Sequence, residues 1–105
     1  MFITDSYAIA LASLLEEVEY PVSLPLGNNY GVRIENHLCG DWMPHYTWQV
    51  YEKRGDGIHY IVATKSTQPM FCMNWTVVCE MMQWSVAEMN SHREEQHRAD
   101  KRKEG

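Results

Sequence analysis

Apolar residues recur at helical spacing in two stretches of the chain, one near each end. The first stretch places them at i, i+3, i+4 and i+7, with two more upstream: Leu11, Leu14, Leu15 and Val18, then Tyr7 and Ala8. Asp5 or Thr4 is a good N-cap, and Pro21 ends the helix because the residue before a proline is pushed out of the helical region. We therefore predict a first helix over about residues 5–19.

Apolar and polar residues alternate in the middle of the chain, which is typical of half-buried strands. Three segments alternate in this way: 30–36, 46–52 and 58–63. Short connections, including the Gly-rich turn at 53–57, favour an antiparallel meander. Residues 21–29 hold two prolines and the turn residues Gly27-Asn28-Asn29, so we expect a connection there rather than a strand.

The second helical stretch follows the last strand. Ser66 or Thr67 is the expected N-cap, with Pro69 in the first turn, and the helix is predicted from about residue 68 to the high nineties. The fold class is therefore α+β, in the order helix, three-stranded antiparallel meander, long C-terminal helix (αβββα). Residues 1–92 form the predicted domain, and 93–105 a polar helix end or tail expected to fray.

The predicted second helix is apolar on more than one face. One stripe comprises Phe71, Trp75, Val78, Cys79, Met82, Val86 and Met89. The other comprises Met70, Met73, Val77, Met81 and Trp84. A helix on a single sheet needs one stripe, so the second must be covered either by the first helix or by a partner. Methionine and tryptophan suit binding surfaces, and the pattern leaves both alternatives open.

The net charge of −5 is unevenly distributed. Residues 1–92 hold ten acidic and four basic side chains, whereas 93–105 hold five basic and four acidic ones. An acidic body repels phosphates, so direct nucleic-acid binding and attachment to anionic membranes are disfavoured. If the partner is a basic nucleic-acid-binding protein, the acidic residues expected to face it are Glu16, Glu17, Glu19, Glu35, Asp41 and Asp56.

Three cysteines, Cys39, Cys72 and Cys79, are an odd number for a disulfide framework, which indicates reduced thiols. The first residues lack the basic and apolar regions of a signal peptide, and the apolar runs are shorter than a membrane span. We therefore expect a cytoplasmic protein without disulfides.

One loop groups residues of metal-ligand type. His37, Cys39 and His45 are spaced H-x-C-x5-H, with Asp41 between them. Three ligands in one loop do not close a structural zinc site, and a Cys–His nucleophile pair also needs an oxyanion hole. No glycine-rich phosphate cradle is present. We expect no metal, cofactor or catalysis, and keep a small metal- or thiol-dependent enzyme at this loop as the alternative.

The predicted order of elements resembles that of the double-stranded RNA-binding domain. That family carries a lysine cluster at the start of its last helix. The corresponding stretch here is Gln68-Pro69-Met70-Phe71-Cys72-Met73, without a positive charge. The resemblance is one of topology alone, and the missing lysines predict that the chain does not share the RNA-binding function.

These features together favour a small non-catalytic protein-binding module that forms a homodimer or docks on a larger partner. The composition is similar to that of accessory proteins of phages and other mobile elements, some of which inhibit host nucleic-acid-processing or defence complexes. The sequence identifies neither the partner nor the source. It also leaves open whether the second stripe is core or interface.

Overall fold

A computed structural model describes residues 4–18, 21–37, 45–68, 70 and 73–104 of the chain, with side chains described up to residue 99. The elements in chain order are α1 (Asp5–Glu17), β1 (Val22–Gly27), β2 (Tyr30–His37), β3 (His45–Lys53), β4 (His59–Ser66) and α2 (Trp75–Glu104). The fold is α+β, and the four strands, which follow α1 and precede α2 in the chain, form one antiparallel meander.

Helix α1 forms where the apolar spacing predicted it. Thr4 is the N-cap, and its Oγ1 accepts the Tyr7 backbone N–H at 3.2 Å. The helix ends at Glu17, with extended backbone at Val18, slightly before the predicted residue 19. Its buried residues are Ala8, Leu11, Ala12 and Leu15. Tyr7 and Leu14, which we had placed on the buried stripe, are exposed.

The sheet has one strand more than the sequence predicted. Residues 22–27, interpreted above as a connection, form β1 and pair with β2 in antiparallel register from Val22↔Ile34 to Gly27↔Tyr30. The strand order β1-β2-β3-β4 places β1 at an edge, where alternate N–H groups point away from the sheet and a proline such as Pro25 is tolerated. The two prolines therefore did not exclude a strand, and the αβββα prediction is corrected to αββββα.

The tight turn between β1 and β2 was predicted correctly from its residue types. Gly27, Asn28 and Asn29 have backbone φ angles of 93°, 54° and 68°, in the left-handed region that glycine and asparagine tolerate best. The Asn29 carbonyl also accepts the Lys53 N–H at 2.7 Å, which joins this turn to the end of β3.

One face of the sheet belongs to the core. Its fully buried side chains are Val32 and Ile34 on β2 and Tyr46, Trp48 and Val50 on β3. They form one apolar cluster with residues of both helices, including Leu11, Leu15, Val78 and Met82. The Asn36 amide fastens α1 to this face by donating to the carbonyls of Leu15 (2.9 Å) and Val18 (3.3 Å). Both helices therefore lie on the same side. The opposite face of the sheet, called the polar face below, carries mainly polar side chains, with Tyr51 and the exposed Ile61 among them.

The other edge of the sheet is β4, which pairs with β3 and is irregular in its middle. Val50 pairs with Ala63 and Tyr51 with Ile61, so Val62 is an extra residue in the ladder, as in a β-bulge. Lys65 lies opposite Trp48, and its Nζ is 5.9 Å from the centroid of the Trp84 ring on α2. The Lys65 side chain on this edge strand therefore points towards the helices.

Helix α2 begins later than predicted. Asn74 caps it, since Asn74 Oδ1 accepts the Thr76 backbone N–H at 2.9 Å and the Thr76 hydroxyl at 2.8 Å. The predicted cap residue Thr67 has another role, because its Oγ1 accepts the Tyr46 N–H at 3.0 Å at the end of the ladder. Pro69 lies outside the described residues, and the first helical residue, Trp75, is six positions after it.

The 30 residues of α2 correspond to about 45 Å of helix, so it extends further than the sheet it packs on. Of the α2 side chains that the structure describes, Met89 is the last buried one, and those from Arg93 to Ala99 are exposed. Among the described residues, no helix has the combination of length and apolar character needed to cross a membrane.

Candidate functional site

An open groove of about 430 Å³ lies between α1 and the start of α2. It is lined by Ile9, Ala12, Ser13 and Glu16 of α1 and by Met73, Asn74 and Trp75 at the start of α2. Ile9 is 52% exposed and Trp75 is 42% exposed, although both are large apolar side chains. Exposed apolar surface next to a concave site is typical of protein interaction sites.

The local sequence explains why this groove is open. Ala12 and Ser13 are small, so the α1 side of the groove has no bulky side chain at these two positions. On the α2 side the Asn74 cap fixes the first turn, and Trp75 directly after it is held at the groove by rigid backbone. The indole has only two side-chain torsions to order on binding, and it has an N–H donor for a partner.

The second apolar stripe of α2 is largely core. Met73 and Met81 are each 5% exposed, and Met70, Val77 and Trp84 are partly buried against the core cluster. Of the two coverings that the sequence left open, the structure favours the internal one for this stripe. Met73 alone of the five also lines the groove. Binding of a partner by these five side chains stays a prediction, and Met81 has almost no exposed surface with which to contact one.

The four predicted acidic residues that the structure describes do not converge on one face. Glu16 and Glu17 are exposed in the last turn of α1, on the helix side. Glu35 lies on the polar face of the sheet, where its Oε1 is 3.2 Å from Arg33 Nε. Asp56 is in the β3–β4 turn, and Glu19 and Asp41 lie outside the described residues. From Glu35 to that turn the sheet extends about 20 Å.

Asp56 has a structural role in its turn. Its carboxylate accepts the Ile58 N–H and the Tyr60 hydroxyl, each at 2.9 Å. These hydrogen bonds, first the one from Ile58 and then the one from Tyr60, lower the pKa of Asp56. The Arg-Gly-Asp sequence at 54–56 is therefore part of a folded hairpin, as the sequence predicted.

The polar face of the sheet carries two stacked pairs of rings. Tyr51 and His59 stack at 4.2 Å between centroids with an interplanar angle of 8°. His37 and His45 stack at 4.6 Å and 20° at the opposite end of β3, where they are direct partners in the register of β2 and β3. His37 Nε2 is also 3.5 Å from Glu35 Oε2.

The loop that the sequence singled out is therefore partly tested. His37 and His45 are adjacent, whereas Cys39 between them lies outside the described residues. In the described part of the chain, no three His, Cys, Asp or Glu side chains are grouped so that they could hold a metal ion together. The described residues thus show the two imidazoles of the predicted constellation and do not show its thiol.

A further polar cluster joins the sheet to α2. The Tyr30 hydroxyl is 2.6 Å from His92 Nδ1, and Tyr30 is paired with Glu52 across β2 and β3. Burial, followed by the nearby Glu52 carboxylate, raises the pKa of Tyr30. An open site beside this cluster is lined by acidic, basic and amide groups together, including Arg93 and Glu94. This mixture of groups favours no class of ligand. The contact between Tyr30 and His92 instead holds α2 against β2.

Sequence reasoning missed the groove between the helices. Trp75 was assigned to a packed stripe of α2, and Ile9 was assigned to no stripe at all. An isoleucine that fits neither face of a predicted amphipathic helix was the available signal. The pairing of α1 with the start of α2, which makes these two residues neighbours, has no local signature.

The chain matches no protein-family model, no curated protein and no solved structure.

Proposed function

We propose that this chain is a small non-catalytic protein-binding module, and that its contact surface is the groove between α1 and the start of α2. The observation that supports this proposal is the exposure of Ile9 and Trp75 on either side of one apolar concavity. Tryptophan is among the residue types that contribute most binding energy at protein interfaces when a partner desolvates them in a pocket. The partner is a second copy of the chain or a different protein.

Two substitutions in the groove test the proposal, and one residue elsewhere provides a matched control. Ile9→Ser and Trp75→Ala remove apolar surface that is already exposed, so the fold should persist in both. Ile58 is 54% exposed, almost equal to Ile9, and lies in the β3–β4 turn away from the groove. Ile58→Ser therefore controls for the loss of an exposed isoleucine as such.

The first measurement is the mass of the chain in solution by sedimentation over a range of concentrations. A dimer formed through the groove should dissociate in Ile9→Ser and Trp75→Ala and persist in Ile58→Ser. Loss of a tryptophan anchor costs about 2 kcal/mol or more, which corresponds to a rise of about 30-fold in the dissociation constant. A dimer that survives both groove variants would contradict the proposed surface.

If the chain is monomeric, the immobilised protein is used to capture partners from the source cells. The informative proteins are those recovered by the wild type and by Ile58→Ser but lost with Ile9→Ser and Trp75→Ala. If the chain is a monomer and captures no protein whose recovery depends on Ile9 and Trp75, the binding function is refuted.

A narrower hypothesis is that the partner is a basic, nucleic-acid-processing protein of a host cell, which the chain inhibits. Its support is the net charge of −5 together with Glu16, an acidic residue that lines the groove. Affinity should then fall as salt rises, and Glu16→Gln should reduce that salt dependence. An affinity independent of salt would exclude the basic partner and leave the binding function intact.

A further inference from the structure

We propose that the partner bound in the groove between α1 and the start of α2 is a positively charged amphipathic helix of a different protein, an assignment that rests on the binding function proposed above. Four lining residues, Ile9, Ala12, Ser13 and Glu16, are spaced i, i+3, i+4 and i+7. One face of α1 therefore borders the groove over about 10 Å. Ala12 and Ser13 at its centre are small, which allows the backbone of a neighbouring helix to approach closely.

The two sides of the groove favour an occupant that satisfies its own main-chain hydrogen bonds. The N–H groups of residues 9–16 are bonded within α1, and the Asn74 side-chain oxygen accepts the N–H and the hydroxyl of Thr76. These groups do not offer an extended segment the row of main-chain partners that it needs. A helix bonds its own main chain, and helices bind grooves through apolar side chains spaced i, i+3, i+4 and i+7.

The helices around the groove carry negative charge only. In α1 and in residues 75–91 of α2 the charged side chains are all acidic: Asp5, Glu16, Glu17, Glu80 and Glu88. A two-fold dimer places the same patch of each copy against the other, so it would oppose Glu16 to a second acidic surface. Opposed like charges weaken association, whereas a basic partner is attracted. The charge therefore favours a different, basic protein over a second copy.

Glu16 and Glu17 lie where the chain does not neutralise them. Both are exposed in the last turn of α1, which has no basic residue, and within the described ranges no cation forms an ion pair with either. The C-terminal end of a helix carries partial negative charge, so carboxylates there are unfavourably placed. A lysine or arginine of the bound helix relieves this repulsion when it lies beside the end of α1.

Fluorescence anisotropy with designed peptides tests this occupant. The probe is a labelled helical peptide of about 14 residues, close to the length of α1, with leucine on one face and lysine elsewhere. In a second peptide glutamate replaces every lysine, and a third keeps the composition of the probe but disperses its leucines around the helix. The full chain should bind the lysine probe more tightly than either of the others by about tenfold or more.

Substitutions of apolar groove residues show whether the probe binds there. Trp75→Ala should weaken binding of the lysine probe by about 30-fold and Ile9→Ser by about tenfold. Ile58→Ser, which changes an equally exposed isoleucine outside the groove, should bind as the wild type does. Binding that is unchanged in both groove variants would count against the groove itself, and thus against the proposed contact surface.

Substitutions of acidic residues test the charge. The double change Glu16→Gln with Glu17→Gln should weaken binding of the lysine probe by about threefold at low salt. Glu94→Gln with Glu95→Gln is the matched control, because these two carboxylates are exposed on the polar end of α2. An equal loss in the control pair would reduce the effect to the net charge of the chain and overturn the assignment.

Amide NMR signals of the wild-type protein keep the test decisive if a variant fails to fold. The lysine probe should shift the signals of residues 9–16 and 73–75 before the others. The basic helix is overturned if the lysine probe does not bind, or if either of the other peptides binds equally well. A dimer that Ile9→Ser dissociates would place a second copy in the groove, so that the proposed surface stands and this occupant fails.

Discussion

Gly31 lies under the ring of Tyr51, its direct partner on β3. A Cβ added at Gly31 would lie 2.5 Å from Tyr51 Cζ and 3.0 Å from the carbonyl oxygen of Leu24 on β1, well inside normal contact distances. Tyr51 is only 8% exposed, and His59 stacks on it at 4.2 Å. The substitution Gly31→Ala must therefore displace a ring that has little space to move.

The expected cost follows from these contacts. Overpacking of this kind lowers the free energy of unfolding by about 1–3 kcal/mol. Displacement of the ring also gives up the stack with His59, which is worth about 0.5–1.5 kcal/mol and is contained in that range. For a domain of this size, each kcal/mol corresponds to a fall of about 4–8 °C in Tm.

Urea denaturation followed by circular dichroism measures the effect, with Gly55→Ala as the control. A Cβ at Gly55 meets no atom within 4 Å, so that variant should stay within about 0.5 kcal/mol of wild type. In a Tyr51→Ala background, Gly31→Ala should become neutral or stabilise by about 0.5–1 kcal/mol, because alanine costs less backbone entropy. Wild-type stability of Gly31→Ala would refute the reasoning. An equal loss in both backgrounds would assign the clash to Leu24.

Three further substitutions test the packing of α2. Met81→Ala should lower the free energy of unfolding by about 2–5 kcal/mol in chemical denaturation without changing the sedimenting mass, because Met81 is buried within its own chain. Tyr30→Phe should cost about 1 kcal/mol through loss of the contact with His92. Burial raises the pKa of Tyr30 above its usual 10.0 in the folded state. The stability that the neutral phenol contributes is therefore complete below pH 10 and is lost as the pH rises through the folded-state pKa. Tyr30→Phe should reduce this loss of stability in alkaline titrations. Asn74→Ala should cost about 1 kcal/mol in thermal unfolding, whereas Asn74→Asp should retain the cap.

Local periodicity was sufficient for most of the fold. The i, i+3, i+4 spacing located α1, and strict alternation located β2, β3 and β4 within a few residues. Periodicity did not determine which side of α1 packs against the rest of the domain. Leu14 belongs to the predicted apolar stripe but is exposed, whereas Ala12 lies outside that stripe and is buried. That choice depends on where α2 crosses, which is a tertiary property.

β1 shows where a residue-based rule was applied without its context. Val22, Leu24 and Leu26 alternate with polar or small residues, but Pro25 was interpreted as excluding a strand. Proline breaks a central strand and is compatible with an edge strand, and the sequence does not reveal which strands are edges. The boundary of α2 has a similar cause, because the sheet uses both predicted caps: Ser66 is the last residue of β4, and Thr67 Oγ1 accepts the Tyr46 N–H.

The candidate sites differ in how far they could be foreseen. His37, Cys39 and His45 were selected together by their spacing, and the strand register places His37 opposite His45, while Cys39 lies outside the described residues. The groove depends on contacts between elements about 65 residues apart in sequence, so only the unassigned Ile9 and the surplus of large apolar residues hinted at it.

The two edge strands of the sheet, β1 and β4, also affect whether further strands can add to the sheet when the protein is concentrated. On one border Pro25 interrupts the row of main-chain donors. On the other, the bulge at Val62 disturbs the spacing, and an incoming strand would have to accommodate the Lys65 ammonium beside Trp84. Features of this kind oppose the addition of further strands and hence fibril growth. The sheet should therefore remain four strands wide, and any contact between two copies of the chain should use side-chain surfaces rather than main-chain pairing.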